Sequence, residues 1–528
     1  MQAARAIARQ TLRDARTRTA AYAYLFAAVS FVQPFAYRHS YSTVAERMAF
    51  ARSFADNEAV RLLYGQPFDL LSAGGYAAWR VGGSLAIFAA IFGVLAATRA
   101  LRGEEESGRL ELVLSGVVGR RGAYLATVAG VAATAAVLWL ASFAGLVLAR
   151  LNAGDAAYLA LAILSVGAAF VGVGALSSQV AATRRQATGL ATAVLAVWFV
   201  LRVVADTSSG AAWLRWSTPF GWAEEMRAFT GARPAVVLLP IAATGLLLAA
   251  AGLIAVRPDV GAGLLPAHDE APPRLRLLSS PLAQAFRNER WALLAWALGT
   301  GALSLILGVV SDSVDSAGIS DSLRERFQKV GTTITTPSGY LGFAFLFVIL
   351  VVSLYGCSQI AAARAEESEQ RVETLLALPV SRRRWLVGRL VLAAAGAAGV
   401  AMTAGLLAWV GAASQDAGIS LSRMLEAGAN CLPVALLFLG LDALAFAVLP
   451  RAAAGIAYGL VGATFVWETI GALLDVPAWL LDLSPFHHVG LVPAESFRAV
   501  SAVVMVALGA LAAAVAAWGF DRRDLAGA

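Results

Sequence analysis

Long apolar runs separated by short, arginine-bearing connections set the pattern of this chain. A helix that crosses a hydrocarbon core of ~30 Å needs about 20 apolar residues. Runs near that length predict spans at 20–37, 76–98, 123–149, 157–181, 187–205 and 235–256. A second set is predicted at 291–310, 340–361, 386–411, 427–449, 453–474 and 500–520. Between them lies a charged linker, 257–290, with Pro258, Pro266, Pro272, Pro273 and Pro281. The predicted fold is an all-α polytopic membrane protein of twelve transmembrane helices in two six-span repeats, 1–262 and 263–528.

One polar stretch occurs twice. Residues Arg102, Glu104, Glu105, Arg109, Glu111, Leu114, Val118, Arg120 and Arg121 recur at a displacement of 262, as Arg364, Glu366, Glu367, Arg371, Glu373, Leu376, Val380, Arg382 and Arg383. Repetition at a fixed period marks a tandem duplication. In each copy apolar residues fall at i, i+3, i+4 and i+7, at Leu110, Val113, Leu114 and Val117 and at Val372, Leu375, Leu376 and Pro379. Carboxylates lead and arginines follow, which complements a helix dipole. Each copy therefore predicts a short helix at a water interface, either a solvated loop or a docking surface.

A second landmark recurs at a displacement of 266: Arg185, Ala187, Gly189 and Ala191 match Arg451, Ala453, Gly455 and Ala457, and Thr218-Pro-Phe220 matches Ser484-Pro-Phe486. The fifth and eleventh spans are thus equivalent. The loops after them carry Trp213, Trp216, Phe220 and Trp222, and Trp479, Phe486, His487 and His488. Aromatic residues at that density predict half-buried helices at a membrane interface. With six spans each, the repeats enter the membrane in the same sense, as parallel rather than inverted copies.

Composition agrees with the pattern. Mean hydropathy is +0.70 and charged residues make up 14 % of the chain, against roughly a quarter in soluble domains. The net charge of +7 comes from arginine clusters between apolar runs, which act as topology signals rather than as a nucleic-acid surface. They put both termini and both acidic segments on the cytosolic side. Residues 1–18 form an arginine-rich amphipathic segment, read either as an interfacial helix on the inner leaflet or as a basic tail, and not as a cleavable signal.

Chemistry is sparse. A phosphate-binding GxxxxGK[ST] loop is missing, since Lys329 stands between Gln328 and Val330. Cys357 and Cys431, both in apolar runs, support no disulfide framework. His39, His268, His487 and His488 do not suggest a metal cluster, and no nucleophile motif points to an enzyme.

An amphipathic amino terminus, six spans, an acidic cytosolic helix after the second ending in Arg-Arg, and a Ser/Thr-Pro-Phe loop after the fifth resemble the permeases of ABC-2-type exporters. The run from Glu366 to Arg384 resembles the fused twelve-span, tetronasin-type exporters of polyketide antibiotics in actinobacteria; in the first copy Val117 and Gly119 replace its proline and serine. The resemblance implies a permease subunit in a bacterial plasma membrane that exports a hydrophobic or amphipathic compound. It also implies two copies of a separate ATP-binding subunit, which hold ATP and Mg; no cofactor is expected in this chain. Glu104, Glu105, Arg109, Glu111, Glu366, Glu367, Arg371 and Glu373 would then couple to the ATPase, the first pair of carboxylates of each copy facing basic residues there.

Two charges fall within equivalent spans. Arg202 aligns with Glu468 at the displacement of 266. Charges at membrane depth face a partner or a wet cavity; these two either meet across a central axis or are each satisfied locally. With Phe220 and Phe486 they are the candidate pathway or outer-gate residues. Asp442 is expected to make a structural hydrogen bond. The competing classes are a proton-coupled secondary transporter using Asp442 or Glu468, and a membrane scaffold without transport.

Overall fold

The computed structural model describes residues 2–55, 64–116, 118–207, 209–256, 280–312, 336–377, 379–471 and 478–523. The linker stretch 257–279, the loop 313–335 and the stretch 472–477 lie outside the described residues. Among those described the chain is helical, with no strand. It divides into two compact units, Met1–Ala271 and Pro272–Ala528.

In the first unit the long helices are α1 (Gln2–Ser40), α2 (Ala73–Thr98), α3 (Arg120–Leu148), α4 (Ala153–Val180), α5 (Arg184–Thr207) and α6 (Leu238–Ala255). In the second they are α7 (Pro281–Ser311), α8 (Pro337–Ser368), α9 (Arg382–Ala413), α10 (Leu432–Val448), α11 (Ala453–Gly471) and α12 (Ala499–Arg522). Eleven helices among the described residues are long and apolar enough to cross a membrane. The predicted span at 453–474 is helical as far as Gly471, and its last three residues are outside the described set.

The helix starts follow from local chemistry. Ser280, Thr336 and Thr218 each cap a helix whose next residue is proline, their hydroxyls accepting from the backbone N–H of Ala283, Gly339 and Gly221. A hydroxyl at the cap satisfies an orphan N–H, and proline at the first position gives up an N–H with no partner anyway. The amphipathic amino terminus is not a separate element. It continues without a break into the first span as the 39-residue α1, which at 1.5 Å per residue is roughly twice the ~30 Å core.

Membrane helices associate by close packing of small residues, because lipid is as apolar as leucine. In the first unit α2 meets α4 where a Cβ on Gly93 would strike the Gly167 carbonyl. In the second, α10 meets α12 at Gly440 and Gly509, where a Cβ on either would run into the other backbone. Between α1 and α3, Gly145 lies against Ala27, and the hydroxyls of Ser30 and Ser142 are 2.9 Å apart.

The same aromatic arrangement occurs in each unit. Phe220 packs edge-on to Phe199, centroids 5.9 Å apart, and against Phe170 at 5.7 Å. Phe486 packs edge-on to Phe465 at 5.4 Å and against Phe438 at 6.0 Å. Phe220 and Phe486 are thus buried wedges that seat the Thr/Ser-Pro-Phe turns on the helices, while Trp213 and Trp216 beside them stay exposed.

Candidate functional site

The first acidic segment is built on the end of α2. Past Thr98 the helix widens into a π turn, Arg99–Gly103, resumes over Glu104–Glu106, turns at Gly108 with φ of 73°, and gives the short helix Arg109–Leu114. Arg102 is 4 % exposed and anchors this bend. Its Nη1 donates to Glu105 Oε2 at 2.8 Å and its Nε to the Ala182 carbonyl at 3.0 Å, which ties the segment to the loop before α5. Glu104 pairs with Arg109 at 2.7 Å, and Glu106 accepts from the Arg184 backbone N–H at 3.0 Å. Glu111 is exposed, and Leu112 points outward with 75 % of its surface free.

The second segment has the same plan with different chemistry. Helix α8 runs through Glu366 and Glu367 to Ser368, Gln370 takes φ of 58° at the position equivalent to Gly108, and the short helix Arg371–Leu376 follows. Glu367 faces inward and is 3 % exposed. Nη2 of Arg523, just past α12, donates to both its oxygens at 2.9 and 2.8 Å, and Arg364 lies at 3.9 Å. Glu366 pairs with Arg389, which also reaches Glu289 at 3.6 Å. Val372 is fully buried in a cluster with Trp385, Phe446 and Phe520. Outward on this segment are Glu369, paired to Arg371 at 2.6 Å, and Glu373, together with Gln370 and Thr374. The sequence reading takes Glu366 and Glu367 as exposed; the carboxyl-terminal arginine and α9 instead draw them into the unit.

At the other end of the first unit, Arg202 is 2 % exposed on α5. Its Nε lies 2.8 Å from Asp206 and 2.8 Å from Glu224. Asp206 also receives Arg215 at 2.7 Å, and Glu225 holds Arg233 at 2.8 Å and Arg227 at 3.4 Å. Burial pushes the Glu224 carboxyl up to about 8; Arg202 opposes that rise and Asp206 adds to it. In the second unit Glu468 is paired with His487 Nδ1 at 3.1 Å. Arg202 and Glu468 each have a local partner. Asp442, on α10, accepts from the Cys357 thiol of α8 at 3.2 Å, a structural hydrogen bond of the kind expected.

Sequence reasoning missed the network of Asp206, Arg215, Glu224, Glu225 and Arg233. Its one local signal was the i, i+4 spacing of Arg202 and Asp206. It also missed Arg523, 156 residues from Glu367 along the chain, and Arg389, which follows the segment on α9, as its partners.

The family of the multidrug efflux system permease Rv1217c, described by its C-terminal domain, matches this chain twice, over residues 20–257 and 278–521. The multidrug efflux system permease protein Rv1217c of Mycobacterium tuberculosis (strain ATCC 25618 / H37Rv) is 32 % identical over 492 residues, covering 92 % of this chain and 88 % of the relative. Its name speaks of multidrug efflux and not of a polyketide antibiotic.

Proposed function

Because the chain belongs to the family of the multidrug efflux system permease Rv1217c, we propose that it is the membrane permease of an ABC exporter for hydrophobic or amphipathic drugs in a bacterial plasma membrane. Two copies of a separate ATP-binding subunit, holding ATP and Mg, would dock on the segments 102–121 and 364–383, with both termini on the same, cytosolic side. The observation that carries this reading is the recurrence of one bent helix end, anchored by the ion pair of buried Arg102 in one unit and of buried Glu367 in the other, and carrying a short terminal helix. Docking would rest on outward residues, Leu112, Arg109 and Glu111 in one copy and Arg371 and Glu373 in the other. Outward charges would set partner and register, while Glu105, Glu366 and Glu367 would hold the segments in shape. The tetronasin-type motif is on this reading a shared docking motif rather than a marker of a polyketide cargo.

The experiment is drug accumulation in inverted vesicles holding the chain and its partner. ATP-dependent uptake that survives collapse of the proton gradient supports the proposal. Uptake that needs the gradient and not ATP favours the secondary transporter, with Asp442 or Glu468 as its protonation site.

A further inference from the structure

The first unit contains a cavity of about 590 Å³ beside the first docking segment. It lies among the first half of α1, the end of α2, the segment Glu104–Leu114 and α3. That volume is within the range of small-molecule sites. Its wall changes character along α2: Phe92 and Leu95 give an apolar side, with Val131 of α3 opposite and Tyr22 edge-on to Phe92 at 5.2 Å, whereas Arg99 closes the other end. Seven residues separate Phe92 from Arg99, about 10 Å of helix.

The charged end is short of counter-ions. Arg18 and Arg99 line it, and Arg184 stands beside them within electrostatic reach. A Cβ on Gly103 would lie 3.7 Å from Arg99 and 3.3 Å from Arg184, which places both side chains at one spot. The nearby carboxylates are Asp14, which accepts from Gln10, and Glu106, which accepts from the Arg184 backbone. Among the described residues neither comes within ion-pair distance of these three arginines, although Asp14 acts electrostatically on Arg18 and Glu106 on Arg184; Arg18 donates to the Asp14 carbonyl at 3.0 Å, and Arg99 makes no side-chain hydrogen bond. Glu104 and Glu105, also on the wall, are taken by Arg109 and Arg102. The buried Nε of Arg184 has no hydrogen-bond partner. Neither has Oγ1 of Thr19, a lining residue that is 6 % exposed. Buried polar groups are ordinarily satisfied, and of these two orphans Thr19 is on the cavity wall, where it marks a place for a ligand's polar atom.

We propose that this cavity binds an amphipathic anion, a molecule with a carboxylate or phosphate head and a hydrocarbon body. The head sits between Arg18 and Arg99 with Thr19 donating to it, and the body lies along Phe92, Leu95 and Val131. The shared chemistry covers an anionic lipid of the adjoining leaflet and an acidic amphiphilic cargo. Only the cargo alternative rests on the export reading. Because the segment Glu104–Leu114 forms one wall, an occupant would press directly on the proposed ATPase dock.

The test uses the full chain in phosphatidylcholine nanodiscs, with photoactivatable hexadecanoate and the matching hexadecanol as probes and peptide mapping of the label. The carboxylate is expected to label the peptides that contain Tyr22, Phe92 and Val131 and the alcohol to label them weakly. Arg18→Gln with Arg99→Gln should cut carboxylate labelling about tenfold or more, as expected for lost charge-assisted hydrogen bonds. Ala96→Trp, which fills the apolar end and keeps every charge, should block labelling too; an unchanged melting transition certifies both variants. Competition by a few mole per cent phosphatidylglycerol identifies a lipid site, and labelling that resists it identifies a free amphiphile. Equal labelling by acid and alcohol, or labelling that survives the arginine changes, overturns the proposal.

Discussion

Replacing Arg523 by alanine should loosen the second docking segment while leaving the spans in place. Glu367 has a side chain 1 % exposed and loses both charge-assisted hydrogen bonds, at 2.9 and 2.8 Å, while Arg364 stays at 3.9 Å. A charged hydrogen bond contributes roughly 1.5–3 kcal/mol, and stranding a buried charge costs roughly 3–5 kcal/mol. The partial exposure of Arg523 and the remaining Arg364 reduce that, so we expect about 2–3 kcal/mol. Read as local opening, this is a fall of about 30- to 150-fold in amide protection. The assay is hydrogen exchange of the peptides over 364–377, with helices α9 and α10 as internal controls. Glu367→Gln added to Arg523→Ala should restore part of the protection, because it removes the stranded charge. Protection that changes less than about twofold, or single effects that simply add, would refute the reasoning.

Gln370 carries the left-handed turn that Gly108 makes at the equivalent position. Gln370→Gly should raise protection of Arg371–Leu376 by about 0.5–1 kcal/mol, and Gly108→Gln should do the reverse to the first segment by exchange mass spectrometry. Leu112, 75 % exposed, should tolerate Leu112→Ser within about 0.5 kcal/mol of stability, while affinity for the ATP-binding subunit in a pull-down titration falls about tenfold. The Glu224 carboxyl stands above its ordinary value of 4.5, at about 8. A raised carboxyl contributes stability that is full at low pH and is lost as pH rises through the folded value. The thermal midpoint should therefore fall as pH rises from about 4.5 to about 8 and level off above that, and Glu224→Gln should flatten the fall.

The spans were legible because hydropathy and helix length are local properties: the predicted run 123–149 is α3 to within a few residues. The duplicated segment was legible as well, since its spacing survives in both copies. The direction its carboxylates face was not, because Glu367 is turned inward by Arg523, 156 residues away, and no periodicity carries that information. The aligned charges Arg202 and Glu468 were found by register alone. Their local partners, Glu224 and His487, come from loops whose path the apolar pattern does not specify. The cavity beside α1 had no sequence signature, because it needs α1 to run unbroken past the span.

The claim that the chain is one half of an ATP-driven machine is tested most directly by the intact mass of the complex purified from the native membrane in mild detergent. The expected mass is that of one chain of 54.8 kDa with two ATP-binding subunits, with occupancy at the first segment lowered by Leu112→Ser. A chain that exports drug from reconstituted vesicles with no such subunit present would contradict it.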